Sequence, residues 1–196
     1  MKRKTIAFWA LSFCCAVIAL WTLAYADGPD VAAMGEGLHG KYSYEDFSKP
    51  EYCAQCHVDI ARQWEQSWMA KAYDSPWDEI EYFELAVEHG KRNPKFAPVA
   101  DGCNGCHAPI SFMAGDTPPP RPAENSRANE SVSCEVCHTI SAIDESKLYN
   151  FSFFASPGRV MYGARGGESS PVHDLARTDF HDSAKLCANC HNEQSP

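Results

Sequence analysis

A mainly α fold with much irregular loop and little β structure is what this sequence predicts, and three observations carry the prediction. The pentapeptide Cys-x-x-Cys-His occurs four times along the chain, at Cys53/Cys56/His57, Cys103/Cys106/His107, Cys134/Cys137/His138 and Cys187/Cys190/His191. The stretches between these motifs hold short apolar patterns at helical spacing. The connections are rich in Pro and Gly, including Pro118, Pro119, Pro120 and Pro122.

The motif spacing has a chemical reason. Residues i, i+3 and i+4 of a helical turn share one face. Two thiols placed there can add to the two vinyl groups of one porphyrin, and the adjacent imidazole then lies under the iron. The pattern is the attachment signature of c-type haem, and four copies predict four covalently attached haem c groups. Zinc ribbons also use Cys-x-x-Cys pairs, but zinc does not explain why a His follows every second Cys. Disulfides fail on the same point. After the N-terminal segment, every Cys belongs to a motif. Four macrocycles on one chain of this length make the haems themselves the core, with the polypeptide wrapped around stacked haems. Without them the chain is expected not to fold.

The N-terminus reads as an export signal. Lys2, Arg3 and Lys4 precede an apolar run from Ile6 to Leu23, and Ala24-Tyr25-Ala26 is a small-residue cleavage site. We therefore divide the chain into a signal peptide over 1–26, with an uncleaved membrane anchor as the alternative, and a tetrahaem domain over 27–196. Cys14 and Cys15 fall inside the apolar run, and Phe13 before them argues against a lipid anchor. Export agrees with haem c, which is attached outside the cytoplasm, and places the protein in the periplasm or outside the cell. The net charge is −9, and losing Lys2, Arg3 and Lys4 makes the remainder three charges more negative. Nucleic acid is excluded as a partner. An acidic surface suits redox protein partners met by electrostatic steering, and equally serves solubility.

From the lead-in onward, 27–50 is Gly-rich and irregular. A helix is predicted from Val58 to Tyr73, with Ile60, Trp64 and Trp68 on one face and the tryptophans packing against haem edges. Ser75 is the expected N-cap of the next helix, with Pro76 at its first position and Asp78 and Glu79 at its positive end. Its stripe is Ile80, Phe83 and Val87, and Gly90 is the expected stop. Residues 108–133 read as a long exposed loop. Leu148 to Phe154 is expected to pair with Arg159 to Tyr162, and Arg177 to Leu186 to turn helically into the last motif. The chain stops five residues after His191, which predicts an exposed fourth haem, a partner's cover over it, or a longer parent protein.

The sixth ligand of each iron decides function, because a second His or a Met closes the site for electron transfer and a vacant position allows chemistry. Eight histidines are present and four are in motifs. His39, His89, His173 and His181 remain as candidate distal ligands. His173 and His181 lie on the approach to the fourth motif, on the side that His191 must occupy, so they are expected to serve haems other than the fourth. His89 is also explained by a helix C-terminus.

Several of these words resemble a known family. Cys53-Ala-Gln-Cys-His57 followed by Gln63-Trp64, Ser67 and Ala70, then CNGCHAP over 103–109, SCEVCH over 133–138 and SAKLCANCHN over 183–192, are similar to the multihaem c-type cytochromes typified by the tetrahaem cytochrome of ammonia-oxidising nitrifiers. The resemblance implies a helical, loop-rich fold with closely stacked haem pairs and an electron-transfer role. It also exposes a departure. The family pattern after the Trp has Ser-x-His-Ala, whose His can ligate iron, and here Met69 stands in that place. A thioether ligates haem and raises its potential relative to His; otherwise Met69 packs as a flexible hydrophobe.

The sequence therefore predicts an electron carrier working between redox partners outside the cytoplasm, with a membrane quinol-linked donor as one candidate. Two other readings stay open. One is a multihaem oxidoreductase acting on a small nitrogen, sulfur or oxygen compound at an open iron, although no Cys-x-x-Cys-Lys is present. The other is a self-associating subunit of an extracellular conducting filament.

Overall fold

The computed structural model describes residues 37–167 and 169–193. The signal-peptide assignment lies outside them. About half of the described residues are helical, in short pieces, and the only sheets among them are two small two-stranded ones. The mainly α, loop-rich class is thus what the chain adopts.

The lead-in is irregular but anchored. Leu38 and Phe47 are buried. A 3-10 turn over Tyr44–Asp46 is closed by a capping box, in which the Ser43 N–H donates to Asp46 Oδ2 at 2.8 Å. Tyr44 donates its hydroxyl to Asp116 at 2.8 Å, and the Arg127 guanidinium donates to the carbonyls of Tyr44 and Phe47 while pairing with Glu130. These bonds tie a Gly-rich strap to residues more than seventy positions away.

Helix α1 (Pro50–Ala54) leads through the first motif into α2 (Val58–Glu65). The expected continuation to Tyr73 fails at Ser67. Its hydroxyl donates to the Trp64 carbonyl at 2.7 Å, competing with the helical backbone, and the chain tightens into a 3-10 turn over Met69–Lys71. Trp64 donates its indole N–H to the Val132 carbonyl at 2.8 Å, so this tryptophan has a fixed structural bond.

Ser75 is an N-cap as predicted, accepting the Asp78 N–H at 3.2 Å ahead of α3 (Pro76–Glu79). The helix then widens into a π-helical segment, Ile80–Ala86, before α4 (Val87–Arg92). The extra residue per turn changes which side chains face inward. Ile80 is left 50% exposed, whereas Tyr82 and Phe83 are buried side by side. Gly90 does not end the helix. It is buried where α4 crosses α5 (Ala97–His107), and a Cβ there would lie 3.2 Å from the Ala97 Cα. The stop comes at Asn93, before Pro94, which disfavours a helical residue ahead of it.

Residues 108–133 are not an exposed loop. Pro109 opens a further helix, α6 (Pro109–Met113), all five residues of which are buried. The proline run that follows hid this short apolar segment. Ile110, Phe112 and Met113 join Phe151 and Phe153 in the larger apolar cluster, while Tyr73, Tyr82, Phe83, Ala108 and Ala128 form a smaller one.

After α7 (Cys134–His138), strand β1 (Ile140–Ile143) pairs antiparallel with β2 (Phe153–Ala155). Strand β3 (Val160–Gly163) pairs in parallel with β4 (Asp174–Arg177). The expected hairpin between 148–154 and 159–162 therefore does not form. Arg159 decides the second pairing by reaching forward to Asp174 and to the carbonyls of Ser170, Pro171 and Val172. A 3-10 turn over Asp179–Asp182 then leads to α8 (Ala184–His191), as the helical entry to the last motif required.

Gly105, between the second motif's cysteines, meets the Phe151 ring. A Cβ there would lie 2.4 Å from a ring carbon. Gly105→Ala is expected to cost about 1–3 kcal/mol through overpacking, and so to lower Tm by several degrees with haem content unchanged. An unaltered Tm would mean that Phe151 swings aside freely.

Candidate haem sites

Each Cys-x-x-Cys-His is presented on a helical turn. The second, third and fourth lie within α5, α7 and α8. The first spans the junction of α1 and α2, yet the Cys56 and His57 N–H groups both donate to the Cys53 carbonyl, at 3.2 and 3.0 Å. Both thiols and the imidazole thus share one face in every copy.

The fold brings the motifs together in two pairs. The Cys53 and Cys134 thiols lie beside one another, joining the first motif to the third, and the Cys190 and Cys106 thiols lie likewise, joining the fourth to the second. Within the first pair, Cys53 is pushed well up by the neighbouring Cys134, and Cys134 is drawn down to about 7. Cys190 is pushed up by Cys106, and burial raises Cys103 to about 11 and Cys137 to about 12. Cys137 also feels the charges of Cys190 and Cys187, so the third motif neighbours the fourth.

Two candidate distal histidines face motif histidines. The rings of His57 and His173 have centroids 6.1 Å apart and planes at 29°. Those of His138 and His181 are 6.4 Å apart at 15°. With metal–imidazole bonds of about 2 Å, two rings on opposite sides of one iron put their centroids about 6 Å apart. The donor set and spacing fit an iron porphyrin between each pair. A further fit lies in His173, whose Nδ1 is buried without a hydrogen-bond partner among the described residues. The Ser170 hydroxyl accepts the backbone N–H of His173 at 2.9 Å and donates to its carbonyl, which fixes the segment.

The outer ring nitrogens are also provided for. His138 Nδ1 donates to the Tyr162 carbonyl at 2.8 Å, leaving Nε2 for a metal. His181 Nδ1 is engaged by the Thr178 hydroxyl, while its Nε2 bonds the Cys137 carbonyl of the third motif at 3.1 Å, a bond that a haem at that site would replace. Burial holds His181 below the ordinary imidazole value, which favours the neutral form that ligates metals. His107 Nδ1 donates to the Ala72 carbonyl at 2.9 Å, and Asp78 Oδ1 stands 2.7 Å from the same nitrogen. The Asp78 carboxylate holds His107 above its ordinary value, against the opposing effect of burial. His191 is exposed on α8.

The other candidates are placed differently. His39 Nε2 bonds Thr117 Oγ1 at 2.9 Å, and its ring packs on Phe112. His89, in the last turn of α4, packs edge-on against Phe96 at 4.4 Å. Neither ring pairs with a motif imidazole among the described residues. Met69 is partly exposed in its 3-10 turn, and its carbonyl accepts the Val132 N–H at 3.1 Å. Ala72, which supports His107, follows it by three residues.

Sequence reasoning missed the supports of the motif histidines. Two are backbone carbonyls, for which no residue type is a signal. Asp78 was visible as a helix-capping residue but not as a neighbour of His107.

Residues 52–139 match the family described as Cytochrome c554 and c-prime, a span that contains the first three motifs. The fold is similar to that of a penta-heme cytochrome c552 from Thermochromatium tepidum, at a TM-score of 0.54 and 18% identity, over 76% of this chain. The chain spans 47% of that structure's length. No curated protein matches it. The family match and the fold likeness both make cytochromes c what this chain is similar to. The narrower likeness to the nitrifier tetrahaem cytochrome stays a resemblance.

Proposed function

We propose that this chain is a tetrahaem c-type cytochrome that passes electrons between redox proteins outside the cytoplasm. The observation that carries this reading is the pair of facing imidazoles, His57 with His173 and His138 with His181. A site closed by histidine on both faces has no position left for substrate, which suits electron transfer.

Bound haem would supply reversible one-electron exchange at iron. The cysteine pairs would hold it covalently: Cys53 and Cys56, Cys103 and Cys106, Cys134 and Cys137, Cys187 and Cys190. His57, His107, His138 and His191 would each ligate one face. His173 would close the first site and His181 the third, so each would serve a haem other than the fourth. The closeness of Cys53 to Cys134 and of Cys190 to Cys106, with Cys137 within electrostatic reach of Cys187 and Cys190, supports a line of sites in the order first, third, fourth, second. Such a line conducts between two ends of the molecule. No helix among the described residues is long and apolar enough to cross a membrane. The basic and apolar N-terminus supports export to the periplasm or beyond, and the acidic balance supports steering toward basic redox partners, a quinol-linked donor among them.

A second reading is favoured by what His39 and His89 do. Their rings lie against Thr117, Phe112 and Phe96 and face no motif imidazole among the described residues, so neither closes the second or fourth site in this arrangement. Met69 is then the remaining candidate ligand for that pair, and an iron without a sixth protein ligand would bind a small molecule.

Haem counting tests the main reading. Pyridine haemochrome of the matured protein is expected to give four haems per chain, with the colour retained on acid–acetone extraction. Carbon monoxide binding by the reduced protein separates the two readings, since a carrier with four closed irons binds none. Zinc without haem in a matured sample would end both.

A further inference from the structure

The second motif's histidine is held differently from the third's. His138 has a neutral carbonyl on its Nδ1, from Tyr162. His107 has a carbonyl too, from Ala72, but also the carboxylate of Asp78 at 2.7 Å. Asp78 is buried, with 8% of its side chain exposed.

The local chemistry of α3 makes that placement costly. Asp78 is the third residue of a helix whose N-cap is Ser75. An acidic side chain there ordinarily reaches back to the N-cap N–H and completes a capping box. Half of that box is present, because the Asp78 N–H donates to Ser75 Oγ at 3.2 Å. The reciprocal half is not. Oδ1 is turned to His107, and Oδ2 is buried without a hydrogen-bond partner among the described residues. A buried carboxylate that gives up a local donor and leaves one oxygen unpaired is held there by something else. The group it faces is the imidazole of a Cys-x-x-Cys-His.

We propose that Asp78 is a positioning residue for the second haem, one that holds its reduction potential below the value a carbonyl-supported histidine alone would set. The inference rests on the haem reading above. Negative charge beside Nδ1–H draws the proton outward and makes Nε2 a stronger donor to the metal. A stronger anionic push from the proximal side stabilises the oxidised iron more than the reduced. In a line of sites with the second at one end, a lowered potential there drives an arriving electron inward to the fourth site.

The test is a spectroelectrochemical titration of the matured protein and of Asp78→Asn, with haem counted in both. The amide keeps the size and an acceptor oxygen but removes the charge. Four haems are expected in each. In the variant, one haem should show at least a tenfold larger reduced-to-oxidised ratio at fixed ambient potential, about 59 mV upward for a one-electron couple. The other three should hold. Asp78→Glu, which restores the charge, should bring the potential back toward the starting value. Ser75→Ala, which removes the cap but not the carboxylate, should lower Tm and leave all four potentials in place. Unchanged potentials in Asp78→Asn overturn the proposal, as does a shift in Ser75→Ala of the same size, or loss of the second haem from Asp78→Asn. Fewer than four haems in the unsubstituted protein is a different failure, that of the haem reading itself.

Discussion

His181→Ala is expected to turn one haem of four high-spin in the oxidised protein and to open it to carbon monoxide after reduction. His173→Ala is expected to do the same to a different haem. The affected sites are the third and the first respectively, because His181 faces His138 and His173 faces His57. Loss of a strong axial imidazole leaves a weak-field or vacant position, so the spin change should be complete for that haem. The double variant should open two haems and leave two unchanged. His89→Ala provides the control. Its ring packs on Phe96 and faces no motif histidine among the described residues, so its removal should leave the haem spectrum as it was. Four low-spin haems in both His173→Ala and His181→Ala would mean that the facing rings are neighbours without a shared iron.

The attachment chemistry was legible because it is written in contiguous residues. A thiol, a thiol and an imidazole at one helical spacing need no tertiary information, and neither does the Ser75 cap, which lies three residues from the N–H it accepts. What could not be read depends on contacts across the chain. The π-helical register over 80–86 is set by burial of Tyr82 and Phe83 against Tyr73, and a plain helical period misplaces Ile80. The segment 109–113 was masked by the prolines beyond it, although Pro109 at a first helical position was itself a start signal. Strand partners went wrong for a similar reason. The pairing of β3 with β4 is held by Arg159 reaching across to residues 170–174, whereas local pattern favoured the nearer strand. The approach of the first motif to the third, and of the second to the fourth, has no counterpart in the sequence at all. Distal histidines were countable in the sequence, but only the fold sets two of them opposite particular motif imidazoles.

Protein produced in a host unable to attach haem is expected to remain unfolded, with most of the helical far-UV dichroism lost and no cooperative thermal transition. Apart from the composite run from Pro76 to Arg92, which a π-helical segment interrupts, the longest helix among the described residues is α5, at 11 residues, and several have only four or five. Isolated helices shorter than about 12–15 residues are marginal in water, and a lone two-stranded sheet is no better. Packing must therefore supply the stability. The smaller apolar cluster holds only Tyr73, Tyr82 and Phe83 as large side chains, while Ile60, Trp68, Trp77 and Leu85 stand half or more exposed. Those side chains have apolar surface to give to a macrocycle and little protein to give it to. The pairing of motifs extends the effect beyond one site. Replacing Cys134 and Cys137 by serine removes the third haem, and with it the group that would lie beside the first through the Cys53–Cys134 contact. That variant is expected to lose more than the one haem it can no longer attach, or to yield a first haem that is released from fixed geometry and partly high-spin. A haem-free chain with native helix content, melting in one sharp transition, would show instead that the polypeptide core suffices.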